Sequence, residues 1–380
     1  MNTFDSRSPG DYAPRILLVS GSLIPIKCGI GDYTGHLAAA LEALSPGTVA
    51  VLTNWEARGH QPLAGYAVFP TIKQWSPSAG PAILQAVRRW KPDVVHMQFP
   101  TRGYDRRLFP WLVPFLLAGM GIPVVQTWHE YYPAGSGWRN IFNAIAPGGL
   151  IVVRPHYLER MPPWYRRLIA RKHFRMIPNA AALPTAQLSE ADRIRIRQQF
   201  GACEKKLVVY FGFVYPAKGV DALASIGDPQ EDQLVIVGEL NASDPYQSHV
   251  LAQLQAPPWS GRTFVTGFLP EAEAAAVLAA ADAVVLPFKD GGGFWNTSVH
   301  AAAKQGVFVL TTSSDRRGYD VSTNIYHAEP GNIDDMRQAL RRYAGTRRPA
   351  NPDSRTAEWE EIALAHRNVY ASVVRRRERR

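Results

Sequence analysis

The densest chemistry in the chain lies between Leu286 and Gly306. An apolar run, Val284-Val285-Leu286, ends in Pro287-Phe288-Lys289-Asp290; three glycines follow, Gly291, Gly292 and Gly293. Phe294, Trp295, Asn296, Thr297 and Ser298 then lead into the alanine-rich segment Val299-His300-Ala301-Ala302-Ala303, and Gly306 closes it. Glycines bare the backbone, Asn296, Thr297 and Ser298 offer capping oxygens and amides, and a helix N-terminus favours negative charge. A triple glycine is compatible with a plain flexible loop. Placed directly ahead of a capped helix it reads better as a grip on a diphosphate.

Three further segments carry candidate groups. Phe211-Gly212-Phe213-Val214-Tyr215-Pro216-Ala217-Lys218-Gly219-Val220-Asp221 offers a lysine, Lys218, and backbone opened by Gly212 and Gly219. Gln126-Thr127-Trp128-His129-Glu130-Tyr131-Tyr132 places His129 and Glu130 just past an apolar run, where either can hydrogen-bond hydroxyls and where a loop histidine satisfied by its neighbours is an equal reading. Lys27-Cys28-Gly29-Ile30-Gly31-Asp32-Tyr33 brings Gly29 and Gly31 to the start of a helical pattern carrying Leu37, Ala40, Leu41 and Leu44. That spacing lacks the full GxGxxG fingerprint and is by itself a tight turn. No DxD-like acidic pair stands where a metal-bridged diphosphate would need one, so no metal is expected; Asp334-Asp335 reads as a helix start.

The elements that must hold these residues alternate. Strand-like runs occur at Ile16-Val19, Val49-Leu52, Val94-Met97, Val124-Thr127 and Ile151-Val153, with helical patterns between most of them. A second series runs through Leu207-Tyr210, Leu234-Val237, Thr263-Val265, Val284-Leu286 and Val307-Leu310. Such alternation builds parallel sheets covered on both faces, and ligands bind there at the carboxyl ends of strands. The two halves open alike, a β-run passing through a glycine-bearing turn into a helix, which predicts two doubly wound Rossmann-like α/β domains facing each other across a cleft. The junction is expected near Ile177-Pro178-Asn179-Ala180, giving residues 1–180 and 181–355 as the two domains. Trp359, Ile362, Ala363, His366 and Tyr370 fall at helical spacing, so residues 356–380 are expected to form a packing helix laid back across the junction, with a basic tail.

Composition bounds the function classes. At 380 residues, two domains are the prior; 46% hydrophobic and 19% charged residues describe an ordinary globular chain. Cys28 and Cys203 have no ligand or disulfide spacing, and no export signal opens the chain, which fits a cytoplasmic protein. The uncharged stretch Leu108 to Trp128 is long enough for a bilayer, but Gly119, Gly121 and Pro123 split it into a helix and a strand. The net charge of +10 gathers in Arg154 to Arg175 and in the arginine tail from Arg375 to Arg380. No nucleic-acid-binding module accompanies it, so nucleic acid is not an expected partner. Met161-Pro162-Pro163-Trp164-Tyr165-Arg166-Arg167 mixes aromatics with arginines, as contacts with an anionic membrane do and as a solvated basic loop does equally well.

Taken together, the segments resemble the group 1 glycosyltransferases of the GT-B fold. The marks are Gly29-Ile30-Gly31-Asp32-Tyr33, Thr127-Trp128-His129-Glu130, Ile177-Pro178-Asn179, Gly212 through Asp221, Val235-Ile236-Val237-Gly238, Val265-Thr266-Gly267-Phe268-Leu269-Pro270, Ala281 through Pro287, and Gly306 through Thr312. The resemblance implies a retaining, metal-independent hexosyltransferase-like enzyme, with a nucleotide-sugar donor and a saccharide or lipid-linked acceptor, in polysaccharide or glycoconjugate biosynthesis. It requires no cofactor beyond the donor itself. Gly31 would lie near the donor phosphates, His129 would contact the transferred sugar, Lys218 would neutralise the diphosphate, and the Gly291 to Ser298 loop would hold the distal phosphate and sugar. The chain departs from the family where Phe213 replaces an arginine and where the Glu-x7-Glu signature is missing. Asp290 is the nearest carboxylate to its first glutamate, Val299 and His300 stand at its second, and Glu239 after Gly238 is a substitute for the ribose contact. These departures keep open a non-catalytic nucleotide-sugar- or glycan-binding partner subunit and a GT-B sugar-nucleotide epimerase. The basic segments would place such an enzyme at the inner face of the plasma membrane.

Overall fold

The computed structural model describes residues 13–60, 62, 64–105, 107–130, 137–350 and 354–378. The start of the leader, Tyr131, Tyr132 and the last two arginines of the tail lie outside the described residues. The chain divides into two compact units, Met1–Asn179 with Ala357–Arg380, and Ala180–Thr356.

The first unit runs β1 (Ile16–Val19), α1 (Gly29–Leu44), β2 (Val49–Asn54), β3 (Ala67–Ile72), α2 (Gly80–Trp90), β4 (Val94–Phe99), α3 (Phe109–Gly119), β5 (Val124–Trp128), α4 (Gly137–Ile145), β6 (Gly149–Val152), α5 (Pro163–Ile169) and β7 (His173–Met176). Its seven strands form one parallel sheet in the order β3-β2-β1-β4-β5-β6-β7. Strands β1, β2, β4, β5 and β6 are buried along their whole length, as helices on both faces require, and this is why they read as continuous apolar runs. Strands β3 and β7 stand at the edges and are half exposed. Pro70 is tolerated in β3 because an edge strand has one side without a ladder partner. The stretch from Leu108 to Trp128 resolves into α3 and β5, and among the described residues no helix is long and apolar enough to cross a membrane.

The second unit runs α6 (Glu190–Gln199), β8 (Lys206–Phe211), α7 (Leu223–Ile226), β9 (Asp232–Val237), α8 (Pro245–Gln255), β10 (Thr263–Val265), α9 (Glu271–Ala280), β11 (Ala283–Leu286), α10 (Thr297–Lys304), β12 (Phe308–Thr312), β13 (Gly318–Asp320), β14 (Ile325–Ala328) and α11 (Ile333–Tyr343). Its sheet has the order β10-β9-β8-β11-β12-β14-β13, parallel except for the antiparallel edge strand β13. Asp334 and Asp335 sit in the first turn of α11, which Asn332 caps by accepting from the Asp335 amide, so that acidic pair starts a helix.

The last helix, α12 (Ser354–Glu378), belongs to the first unit. Trp359, Ile362, Ala363, His366 and Tyr370 are all buried, which is the packing stripe that their spacing predicts. Val369 and Val373 press on the backbone of β6 at Gly149, where a Cβ would stand 3.1 to 3.2 Å from their methyl groups. Each fully buried large apolar side chain contributes about 1.5–3 kcal/mol, so this stripe ties the end of the chain firmly to the first sheet.

Candidate active site

In the first unit the loops beyond β1, β4, β5 and β6 meet at the carboxyl end of the sheet. The loop after β1 is laced to the loop after β4: the Gly21 amide donates to Thr101 Oγ1 at 3.0 Å, and the Gly103 amide donates to Ser22 Oγ at 2.9 Å. Helix α1 begins at Gly29 with Cys28 in the cap position and no side chain on its first amides. Gly31 is buried against the Ser22 carbonyl, 3.0 Å from where a Cβ would stand. Two residues on, Tyr33 turns its ring edge onto His129, with centroids 4.8 Å apart.

His129 follows β5 and is held from several sides. Its amide donates to the Phe99 carbonyl at 2.8 Å, and its Nε2 lies 2.8 Å from Gln98 Oε1. A Gln oxygen only accepts, so Nε2 carries the proton and Nδ1 keeps the lone pair. The other end of the Gln98 amide donates to His96 Nε2 at 3.3 Å, and the Thr127 hydroxyl donates to the same nitrogen at 2.7 Å. His96 Nδ1 is then the protonated nitrogen and donates to the Tyr370 hydroxyl on α12 at 2.7 Å. In parallel, His366 on α12 donates from Nδ1 to the Ile362 carbonyl at 2.8 Å and accepts at Nε2 from the Tyr33 hydroxyl at 3.3 Å. One tautomer pattern satisfies the whole network.

Burial keeps these imidazoles neutral. It lowers His129 to about 3, helped by His366 and Arg154, and His366 to about 4; His96 is driven well below the ordinary range by burial, then by His366 and His129. His129 therefore presents an unprotonated Nδ1 that makes no hydrogen bond among the described residues, a fixed acceptor for a ligand hydroxyl. Glu130, expected to share that task, is engaged otherwise: Arg154 pairs with its Oε2 while donating from Nε to the His129 carbonyl at 3.1 Å.

In the second unit the site is built from backbone. Gly238, after β9, approaches the Gly212 carbonyl so closely that a Cβ would stand 2.3 Å from it. Gly212 in turn faces the Ser298 side chain, 3.9 Å from its own Cβ position. Gly219, at φ 68°, lets the Lys218 turn settle against the Pro287 carbonyl, 2.0 Å from where a side chain would begin. The Lys289 amide donates to Ala217 at 3.0 Å, fastening the loops after β8 and β11 together. Lys218 Nζ lies 4.6 Å from the Phe288 ring centroid, within cation–π range.

Hydrogen bonds order the glycine triplet: the Gly291 amide donates to the Phe288 carbonyl at 3.4 Å, the Gly292 amide to the Thr312 carbonyl at 2.7 Å and the Gly293 amide to Asn296 Oδ1 at 3.1 Å, while the Gly293 carbonyl accepts from the Asn296 amide at 2.8 Å. Asn296 was expected to cap α10. Its side chain turns back onto the loop instead, because the Gly293 amide would otherwise be left bare, so no side chain caps the first turn of α10 at Thr297 and Ser298. Phe294 packs edge-on to His300, with centroids 5.1 Å apart. Asp290 and Glu239 are exposed at the ends of their loops.

The structure thus brings Gly29, Gly31 and His129 together in the first unit, and Gly212, Lys218, Gly238 and the Asp290 to Ser298 loop together in the second. Sequence reasoning missed Gln98, which sits inside an apolar strand run as a polar residue with no motif around it. It also read Arg154 only as part of a basic segment, although its place directly after Ile151-Val152-Val153 marks a strand's carboxyl end. Phe213, at the position where the family has an arginine, pairs with Phe268 at 5.5 Å between centroids.

Two family profiles cover most of the chain: one described as a glycosyl transferase 4-like domain matches residues 28–209, and one described as glycosyl transferases group 1 matches residues 205–345. No curated protein matches by sequence. Solved structures do match in fold. HepE of Anabaena, determined in complex with UDP and glucose, is 16% identical with a TM-score of 0.64, over 95% of this chain and 97% of its own. Sucrose-phosphate synthase from Thermosynechococcus elongatus is 16% identical with a TM-score of 0.67, over 96% and 97%. The catalytic domain of starch synthase IV from Arabidopsis thaliana, bound to ADP and acarbose, is 13% identical with a TM-score of 0.68, over 95% and 99%.

Proposed function

Since the chain belongs to the group 1 glycosyltransferases and has the GT-B fold, we propose that it is a retaining hexosyltransferase, moving a sugar from a nucleotide-sugar donor to a saccharide or lipid-linked acceptor in glycoconjugate biosynthesis. The observation that carries this reading is the backbone-built loop cluster of the second unit, where Lys218 and the α10 N-terminus, left without a side-chain cap, stand beside the glycine triplet. Such a site suits a nucleoside diphosphate, as in the HepE structures with UDP and with UDP-glucose.

As the bond between the anomeric carbon and the diphosphate oxygen breaks, negative charge grows on the departing phosphate. Lys218 and the amides of the Gly291 to Ser298 loop stabilise that charge without reorganising, which is where preorganised donors gain most. The acceptor hydroxyl takes the anomeric carbon and gives up its proton to the leaving phosphate. His129 accepts a hydrogen bond from a hydroxyl of the transferred sugar through Nδ1, and Gly29 and Gly31 are assigned to the donor phosphates. Glu239 is assigned the ribose, and Asp290 a hydroxyl of the sugar. No metal is assigned, because Lys218 and the amides meet the charge. The setting is the cytoplasm, at the inner face of an anionic membrane.

Thermal shift with UDP-, GDP-, ADP- and TDP-sugars, followed by sugar-release and transfer assays on any hit, tests the reading. Stabilisation by one nucleotide class with turnover supports it, and no stabilisation by any donor would overturn it. Loss of turnover on adding a chelator would remove the metal-free clause. Phe213, an aromatic where a phosphate-binding cation is expected, favours one second reading: a donor-binding partner subunit, marked by stabilisation without sugar release.

A further inference from the structure

At the opposite end of the first sheet from His129 lies a cavity of about 700 Å³. It opens where β5, β6 and β7 begin, at Pro123, Gly148 and Lys172. Six residue steps along extended chain separate Pro123 from His129, roughly 20 Å at about 3.3 Å per residue, so this cavity is distinct from the active-site loops.

Its lining has two kinds of residue and nothing between them. The floor is hydrocarbon, from Ile122, Val124, Ala144, Leu168 and Val373. All the side-chain polarity is cationic: Arg167 and Arg171 from α5 and the turn after it, Lys172 before β7, and Arg376 and Arg377 from α12. Among the described residues no acidic, hydroxyl or amide side chain lines it. Lys172 is buried, donates to the Ala146 carbonyl, and is lowered by burial to about 7. An anion in the cavity would restore its full charge. The helices that form the cavity wall also carry exposed large apolar side chains: Phe115 and Leu116 on α3, Ile145 on α4 and Trp164 on α5. Hydrocarbon, cations and an exposed apolar rim together are the chemistry of a bilayer interface.

We propose that this cavity binds one anionic phospholipid of a membrane leaflet, its phosphate among Arg167, Arg171, Arg376 and Arg377 and the start of one acyl chain on the apolar floor. The proposal rests on the membrane clause of the functional reading and not on its donor clause. It turns a diffuse basic surface into a defined site, completed by α12.

Sedimentation with vesicles of phosphatidylcholine alone or with 30 mol% phosphatidylglycerol (about a third anionic, enough to set a negative surface potential) tests it. Two double variants remove equal charge. Arg171→Ala/Arg376→Ala lies in the cavity, whereas Arg166→Ala/Arg375→Ala removes exposed arginines on α5 and α12 that do not line it. Near-surface arginines predict about a tenfold or larger loss of anionic-vesicle binding for the cavity pair, and less than about twofold for the control if the site is specific. Unchanged melting temperatures establish that both variants fold. Equal losses in the two variants would overturn the cavity and leave only diffuse attraction. Absence of wild-type binding to anionic vesicles would overturn the membrane clause as well. Displacement of bound vesicles by millimolar inorganic phosphate at constant ionic strength would also count against it, since it would identify a bare anion site.

Discussion

In the first unit, the loops past β4 and β5 are filled with side chains that fix one another, from His129 through Gln98 and His96 to Tyr370. In the second, the loops past β8, β9 and β11 bring bare backbone together at Gly212, Gly219, Gly238 and the glycine triplet. One fold has produced a side-chain-defined site and a backbone-defined site. The difference suits the ligands proposed for each. A hydroxyl needs one acceptor held in one orientation, whereas a polyphosphate needs many donors at short range, and amides can be packed more closely than side chains.

Acid gives the largest expected separation of the two units. An unfolded histidine titrates near 6.5, whereas in the folded first unit burial lowers His366 to about 4 and His129 to about 3 and holds His96 well below the ordinary range. As the pH falls below about 6.5, the unfolded chain gains protons that the folded unit refuses, so stability is lost over the window from about 6.5 to 4. Three such groups give a slope approaching about 4 kcal/mol per pH unit. In the second unit burial lowers His327, helped by Arg316, to a smaller extent. Hydrogen exchange resolved by segment should show β4 and β5 losing protection before β8 and β11. Simultaneous loss would end the comparison.

Removing a cation from the backbone-built site comes next. Lys218→Ala should lower kcat/KM by about 10²–10³, the usual effect of deleting one preorganised donor, and weaken donor-dependent thermal stabilisation. A change under threefold would mean that the amides alone hold the diphosphate. Gly238→Ala drives a methyl against the Gly212 carbonyl, so a loss of about 1–3 kcal/mol is expected from overpacking, read as a lower denaturation midpoint. An unchanged midpoint would show that the two loops can part.

The smallest effect sharpens the side-chain half. Gln98→Glu puts a carboxylate 2.8 Å from His129 Nε2, which favours the imidazolium and raises the histidine's pKa. Protonation removes the Nδ1 acceptor, so turnover should fall about tenfold between pH 8 and 5.5, where the wild type is held flat with respect to this group by a pKa near 3. Parallel profiles in the two proteins would show that His129 does not use Nδ1.

Much of the fold was legible because buried parallel strands leave continuous β-branched runs, as in Val94-Val95 and Val284-Val285. The strands that left no signal are at or next to the sheet edges: β3 carries Pro70, β7 reads His-Phe-Arg-Met, and β13 and β14 mix aromatics with polar residues. The glycine-built half of the site was visible as composition, since close backbone approach demands that residue type. The imidazole network was not. His96, Gln98 and Tyr370 are separated by up to 274 positions, and only folding shows that they share one chain of hydrogen bonds. Asn296 misled for a related reason, since composition names a capping residue but not which amide it will serve.

Helix α12 also sets a schedule. The ribosome makes the whole second unit between β7 and the helix that completes the first, roughly 10 to 35 seconds of synthesis at 5–20 residues per second. During that interval the second unit, continuous in sequence, has everything it needs to fold, while His96 lacks Tyr370 and Tyr33 lacks His366. The nascent chain therefore completes its glycine-built loops first and the hydrogen-bond network that holds His129 last, which ties that network to the arrival of the final helix.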